Sequence, residues 1–224
     1  MEEHTDEKNL LPANIEKEIF ETSLDLSLDF AEVGLDTILE NDLIKEIPIV
    51  KTAVAFYSVG KELHKRHHIR NILTFLGEFH SGVISPEKLD KFKTKFEGNP
   101  KFRNKVLELI IVHNERFNKT IKAKIMGNLF RAYINGHYDY ERLNHLLEIL
   151  ESITVRALKI LEAMGNGGRW DYHYHTRTEE WLENIGFKKS EFSLLQSCGL
   201  IIQQGSMMRT TKDGIAIYDF GLSI

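Results

Sequence analysis

Two histidines near residue 173 have the spacing that comes closest to a metal-binding pattern. His173 and His175 lie in the stretch Asp171-Tyr172-His173-Tyr174-His175. In an extended segment, alternate side chains point to the same face, so both imidazoles could reach one transition-metal ion. The ion would need further ligands from elsewhere in the chain. An aromatic linker that packs against a helical bundle explains the same residues without a metal. We therefore assign no metal site and keep the two histidines as candidates.

A second group of histidines lies in the basic centre of the chain. His64, His67 and His68 fall at helical i, i+3 and i+4 spacing, so one helix face presents all three. Such a group can bind a metal or change its charge near neutral pH. The solvated edge of a bundle helix has the same composition, and we predict no cofactor here.

The other residues give no catalytic pattern. Acid–base chemistry needs paired carboxylates in a cleft, but the acidic residues of this chain occupy outward-facing helical positions. The glycine run at 165–168 follows a helix and lacks the Lys-Ser/Thr step of a phosphate loop. No Gly-x-Ser-x-Gly motif is present either. These observations favour a non-enzymatic protein, although they leave an enzymatic role open.

The chain is organised around Ile47–Leu76, a stretch that is apolar at both ends and basic in the middle. Its apolar spacing predicts a helix pair, or one kinked helix, at the centre of a bundle. The basic middle is either a solvated edge or a surface for an anionic partner, namely a lipid headgroup layer or a phosphate backbone. The apolar run is shorter than the ~20 residues that cross a bilayer, so we expect no transmembrane segment. The predicted anionic-partner surface comprises Lys61, Lys65, Arg66 and Arg70.

Composition and charge set outer limits on the class of protein. The chain has 224 residues, 42% of them hydrophobic, and a single cysteine, Cys198. One cysteine excludes an internal disulfide framework and fits a reducing compartment. The acidic N-terminal stretch lacks the pattern of a signal peptide, so we expect a cytoplasmic protein. Residues 1–46 carry fourteen acidic side chains and three lysines, whereas the remainder carries nineteen acidic and twenty-six basic ones.

Glycine, proline and cap residues divide the chain into helices. Residues 1–12 are expected to be a flexible N-terminus. Residues 13–165 have helical spacing and predict a multi-helix bundle, whose last helix runs unbroken from Asp139 to about Met164. The glycine-rich run that follows places a linker at 166–177. The predicted fold class is therefore mainly α, with a small winged-helix-like α+β domain at 178–224.

The tail after residue 178 resembles the winged-helix layout. Two short helices lead into Gly199-Leu200-Ile201, a β-hairpin follows, and Thr211-Lys212-Asp213-Gly214 opens a terminal helix. The resemblance implies that the second helix, with the hairpin, is the recognition surface, which in such domains contacts either DNA or protein. The candidate DNA-contacting residues are Lys188, Lys189, Ser190, Ser193, Gln196, Arg209 and Lys212.

The segment from Val33 to Met164 resembles a bacterial family of helical proteins whose function is uncharacterised. The resemblance rests on Glu46-Ile47-Pro48-Ile49-Val50, on Phe75-Leu76-Gly77-Glu78-Phe79, and on the stretch from Gly127 to Gly136 that reads GNLFRAYING. Many of these sequences end in a winged-helix-like tail. The resemblance implies a bacterial or phage origin and an association with phage defence. Lys51 stands where the family often keeps a small uncharged residue, which argues against a lipid-inserting helix.

Three functions remain open from the sequence. The first is a non-enzymatic interaction or effector protein, in phage defence, that acts through protein contacts and self-assembly into a homo-oligomer. The second is a winged-helix regulator that binds DNA through the tail. The third is a peripheral effector that acts on an anionic membrane surface through the Ile47–Arg70 region.

Overall fold

The computed structural model shows a mainly helical protein with one small antiparallel sheet. It describes residues 3–24, 28–31, 47–56, 62–166, 171–173, 183–204 and 207–222. These residues form two compact units, Met1–Asp139 and Tyr140–Ile224. The helices after Asp139 group with the sheet. The predicted linker at 166–177 and the domain bounds on either side of it stay predictions.

The first unit is built from helices alone among its described residues. Three of its helices begin with a proline, namely Pro48, Pro86 and Pro100, as the helix-dividing role of proline predicts. The helices are α1 Glu3–Phe20, α2 Pro48–Phe56, α3 Glu62–Ser81, α4 Pro86–Gly98, α5 Pro100–Arg116 and α6 Thr120–Ile134.

Helix α1 begins at Glu3, within the stretch expected to be a flexible N-terminus, and it ends at Phe20. The Glu18 carboxylate explains the end, because it accepts hydrogen bonds from the backbone N–H of Ser23 at 2.8 Å and from the Thr22 hydroxyl at 3.2 Å. These contacts turn the chain away from the helical path after Phe20.

Helix α3 packs along helix α6 at the centre of the first unit. Gly127 of α6 permits this approach, because a Cβ atom there would lie 2.7 Å from the Phe75 carbonyl oxygen and 3.0 Å from the Phe79 nitrogen. Around the contact, the Phe130 ring meets the rings of Phe79 and Phe92 edge-on, with centroids 5.5 and 5.9 Å apart. These aromatic contacts therefore fix the orientation of α3, and with it the positions of the polar residues on its other face.

The second unit combines helices with a three-stranded sheet. Its strand order is β1-β3-β2, and both pairings are antiparallel. Strand β1 lies inside the stretch predicted to be a linker. The elements are α7 Tyr140–Ser152, α8 Val155–Asn166, β1 Asp171–His173, α9 Lys189–Ser197, β2 Ile201–Gln204, β3 Met207–Thr210, α10 Lys212–Ile217 and a π-helical turn Tyr218–Leu222.

The predicted unbroken helix after Asp139 is wrong, because the chain breaks between α7 and α8. The Ser152 hydroxyl donates to the Ile149 carbonyl oxygen at 2.9 Å. The Thr154 hydroxyl accepts from the Ala157 N–H at 3.1 Å and so caps α8. Ser and Thr offer the backbone alternative hydrogen bonds and favour caps over helix interiors. The apolar period continues through Ile153, which is why sequence spacing alone missed the break.

Candidate functional site

The structure holds part of the predicted anionic-partner surface against its own backbone. The Arg70 guanidinium donates from Nε to the Phe30 carbonyl oxygen at 3.2 Å and from Nη2 to the Ala31 carbonyl oxygen. Arg66 is half-buried and also has a partner. Lys61 and the Lys65 side chain lie outside the described residues. Arg70 thus has a structural role, and the surface as a whole remains a prediction.

The central histidines of α3 contact the C-terminal end of α5. The Nε2 atom of His67 lies 2.8 Å from the Phe117 carbonyl oxygen, and that of His68 lies 3.2 Å from the Ile111 carbonyl oxygen. Between them, Asn71 Nδ2 donates to the carbonyl oxygens of Asn114 and Phe117 at 2.8 and 2.9 Å. The Asn114 carbonyl belongs to the last turn of α5 and the Phe117 carbonyl to the residue that follows it, where backbone partners within the helix are missing. The side chain of His64 lies outside the described residues.

Burial favours the neutral form of two histidines of α3, compared with an exposed histidine. Desolvation lowers the pKa of His68, although the charge of Glu115 and the hydrogen bond to Ile111 act in the opposite direction. Desolvation also lowers the pKa of His80, whose Nε2 atom lies 2.7 Å from the Glu18 carbonyl oxygen at the end of α1. A neutral imidazole with its proton on Nε2 donates to each of these carbonyls. The histidines therefore join helices rather than form an exposed charged face.

Helix α9 in the second unit presents a short polar surface. Ser190, Ser193, Gln196 and Ser197 are exposed, while Phe192 and Leu195 on the other face are buried. Two of the hydroxyls donate to their own helix, Ser193 to Ser190 and Ser197 to Leu194. The adjoining exposed residues outside the helix are Ile185, Lys188, Ile202, Gln203, Gln204, Arg209 and Lys212. We call these exposed residues, with the four on α9, the α9 surface.

Arg156 of α8 fixes the start of helix α9. Its Nε donates to Glu191 Oε1 at 2.7 Å, its Nη2 donates to the Gly186 carbonyl oxygen at 2.5 Å, and its guanidinium lies 4.4 Å from the centroid of the Phe187 ring. Glu191 Oε2 also accepts the Lys188 N–H at 2.7 Å, which closes the first turn of α9. The hydrogen bond from Arg156 lowers the pKa of Glu191. These contacts give the α9 surface a defined orientation on α8.

Asp213 anchors the terminal helix of the same unit. Its carboxylate pairs with Arg142 and lies 3.2 Å from His145 Nε2, both on α7. Thr211 caps α10 by accepting the Gly214 N–H at 3.1 Å. His145 thus contacts an acidic side chain of the terminal helix.

The candidate metal residues are only partly described. His173 is the last residue of β1 and pairs with Met207, but its side chain and all of His175 lie outside the described set. Within the described part of the chain, no three His, Cys, Asp or Glu residues are grouped so as to hold a metal ion. The two histidines remain candidates on sequence alone.

Of the seven predicted DNA-contacting residues, Lys189, Ser190, Ser193 and Gln196 lie on α9 and Lys188 directly precedes it, whereas Arg209 lies on β3 and Lys212 opens α10. Six have described side chains, and all six are exposed, whereas the side chain of Lys189 is outside the described set. The sequence reasoning missed Arg156, because its partner Glu191 lies 35 residues away and no local spacing links the two. It also missed Asn71, whose signal was a polar residue inside an apolar helical run.

Comparison of the chain with protein-family models, curated proteins and solved structures finds no match. Among the helices that the structure describes, none is long and apolar enough to cross a membrane. The function is therefore inferred from the predicted anionic-partner surface and from the α9 surface.

Proposed function

We propose that this chain is a non-enzymatic interaction protein that self-associates through the α9 surface of a winged-helix-like second unit. A role as an effector in bacterial phage defence, which the sequence resemblance implies, belongs to the same proposal. One observation supports this proposal. The α9 surface exposes polar and apolar residues together, and Arg156 holds the start of α9 in place.

The order of elements supports a winged-helix assignment. Helix α9 runs into the β2–β3 hairpin, and strand β1 from before α9 completes the sheet by pairing with β3. The Gly199-Leu200-Ile201 step turns at Gly199, which has a positive φ of 71° and so suits glycine. Leu200 and Ile201 are both buried and link the helix to the sheet. In this layout, α9 and the hairpin form the contact surface.

The charge of the second unit as a whole favours a protein partner over DNA, although the α9 surface itself carries Lys188, Arg209 and Lys212 and no acidic residue. Residues 140–224 carry eleven acidic and nine basic side chains. Affinity for DNA depends strongly on the number of phosphates that lysine and arginine neutralise. Exposed apolar residues are present in the same unit, with Ile202 at 42% and Ile185 at 37% exposure. Interface centres are depleted in charge and gain stability from buried apolar anchors.

Sedimentation velocity over a range of protein concentrations tests self-association. We expect the sedimentation coefficient of the wild type to rise with concentration. Ile202→Lys should weaken the association by roughly tenfold or more, because a lysine buried at an interface lacks a partner. Val83→Lys is the matched control, since Val83 is an exposed apolar residue of the first unit at 89% exposure. A wild type that stays monomeric up to about 100 µM, a weak association on the affinity scale, would refute self-assembly.

DNA binding by the second unit is the second candidate. It is favoured by the exposed Ser193 and Gln196, because serine and glutamine hydrogen-bond base edges in the major groove. Lys188, Arg209 and Lys212 flank them and are exposed. Retention of the full chain on duplex DNA that falls with salt, and that is lost in Ser193→Glu/Gln196→Glu, would support this candidate.

The membrane candidate concerns the Ile47–Arg70 region. The structure weakens this candidate, because Arg70 of the predicted surface donates hydrogen bonds to the backbone at Phe30 and Ala31. Co-sedimentation with anionic vesicles that is lost in Lys65→Glu/Arg66→Glu would support it.

A further inference from the structure

The helical hairpin of α4 and α5 carries the opposite charge to the N-terminal part of the chain. Residues 86–105 contain seven basic and three acidic side chains. Two of the acids pair with lysines four residues away, Glu87 with Lys91 at 2.6 Å and Glu97 with Lys93 at 4.0 Å. Exposed pairs of this kind contribute little energy and leave the net charge unchanged. The field of this hairpin is therefore positive, and it acts over a Debye length of about 8 Å at physiological salt.

Three of the lysines outside these two pairs lie on the outward faces of the two helices. Lys88 and Lys95 are seven residues apart on α4, which places them on the same face about 10 Å apart. Lys101 continues the series in the first turn of α5, after Asn99, whose side chain accepts the Phe102 N–H at 3.0 Å and caps α5. All three lysines are exposed. Phe92, Phe96 and Phe102 face inward, so the fold itself directs the lysines to solvent.

Lys95 links the two helices of the hairpin. Its Nζ atom lies 4.2 Å from the centroid of the Phe102 ring, over the first turn of α5. A cation held over an aromatic face has a restricted range of positions. The ammonium group is thus kept at the junction, between Lys88 on one side and Lys101 on the other.

From this arrangement we infer that Lys88, Lys95 and Lys101 form a binding surface for the phosphate backbone of a nucleic-acid duplex. A duplex presents about one negative charge per 1.7 Å of its axis, so a row of separated lysines meets several phosphates without base contacts. This surface belongs to the first unit and is independent of the proposed protein contacts of α9.

The exposed side chains of the hairpin suit a duplex better than a membrane surface or a single strand. Peripheral membrane helices bury a large apolar face in the lipid, but the described exposed residues between 86 and 105 include no large apolar side chain. Proteins that hold single strands stack bases on exposed aromatic rings. The phenylalanines of this stretch are buried in the bundle instead. A backbone-reading contact with a duplex fits the remaining chemistry.

Fluorescence anisotropy with a labelled duplex of arbitrary sequence tests the inference on the full chain. We expect the logarithm of the binding constant to fall linearly with the logarithm of the KCl concentration. The variant Lys88→Gln/Lys95→Gln/Lys101→Gln should bind at least tenfold more weakly at low salt and reduce the slope by roughly 2 to 3, at about 0.9 per lost phosphate contact. The control Lys17→Gln/Lys119→Gln/Lys159→Gln removes the same charge from exposed positions outside both this hairpin and the α9 surface. It should bind within about twofold of the wild type.

Three outcomes would overturn the inference. One is a wild type that does not bind duplex DNA or duplex RNA at low salt. The second is unchanged binding in the α4–α5 variant, which would place the contact outside this hairpin. The third is binding to vesicles of phosphatidylcholine and phosphatidylglycerol that needs these lysines, with no duplex binding. Circular dichroism of each variant shows that the exposed substitutions leave the fold intact.

Discussion

Arg156 and Glu191 join helices α8 and α9 through a hydrogen bond of 2.7 Å between Nε and Oε1. The guanidinium also reaches the Gly186 carbonyl oxygen and the Phe187 ring, so one side chain holds both the turn before α9 and its first turn. A planar guanidinium has the fork geometry for several such contacts, which an ammonium group lacks. The orientation of the α9 surface therefore depends on this residue.

Replacement of Arg156 by lysine should loosen the start of α9 without unfolding the unit. Hydrogen exchange of the amides of residues 186–191 should become faster, because lysine keeps the charge but cannot donate to Glu191 and Gly186 together. Lys159→Gln on the same helix α8 is the control, since Lys159 is exposed. Unchanged exchange in Arg156→Lys would show that the hydrophobic contacts of Phe192 and Leu195 suffice to hold α9.

Gly127→Ala should destabilise the first unit by about 1 to 3 kcal/mol, because the new methyl group would meet the backbone of α3 at Phe75 and Phe79. The higher helix propensity of alanine, about 1 kcal/mol, offsets part of this cost. Urea denaturation measures the difference. Gly98→Ala is the matched control, since nothing lies within 4 Å of its added Cβ. Equal stability of the two variants would mean that α3 and α6 separate easily.

Asn71→Ala should cost about 2 to 3 kcal/mol of folding free energy, because it removes two buried hydrogen bonds to the C-terminal carbonyls of α5. Asn71→Asp should cost more, since a carboxylate would face carbonyl oxygens at the negative end of a helix. The exposed Asn104→Ala serves as the control. If Asn71→Asp is as stable as wild type at pH 7, the capping role of this side chain is wrong.

Acidification should destabilise the first unit. The pKa values of His68 and His80 are lowered below the usual 6.5 by burial, so the unfolded chain binds protons that the folded chain excludes. Stability is therefore lost as the pH falls through 6.5 towards the lower folded values. Glu115 and His67 face His68, and Glu18 faces His80, so the two acids oppose the loss.

Urea midpoints measured between pH 7.5 and 5.5 would detect this dependence. His80→Gln keeps a hydrogen-bond donor without titrating, and it should flatten the profile. A wild-type profile that is already flat over this range would contradict the account of these histidines.

The sequence was informative where one residue type dictates one local structure. Pro86 and Pro100 opened helices, and Gly98-Asn99-Pro100 separated α4 from α5, because proline fixes φ and lacks an N–H. The mainly α class followed from apolar periods, which the buried faces confirm. Contacts between distant segments could not be read in this way. The Arg70 contact with Phe30 and the capping of α5 by His67 and Asn71 depend on tertiary packing.

The candidate surfaces show the same limit. Exposure of Ser193 and Gln196 was expected from their helical positions, and the structure places both on the open face of α9. The basic face of α4 and α5 was not among the predicted surfaces, because the contact of Lys95 with Phe102 exists only in the folded hairpin. The partner of each surface is identified by binding measurements in solution.

Cross-linking between copies tests the central claim most directly. Ser193→Cys in a Cys198→Ser background places the only thiol of the chain on the exposed face of α9. The account predicts that a short bis-maleimide gives a covalent dimer of this variant, and little dimer when the thiol is placed at exposed position 104 of α5 instead. Equal yields from the two positions, or no dimer from position 193 at concentrations where the wild type associates, would contradict it.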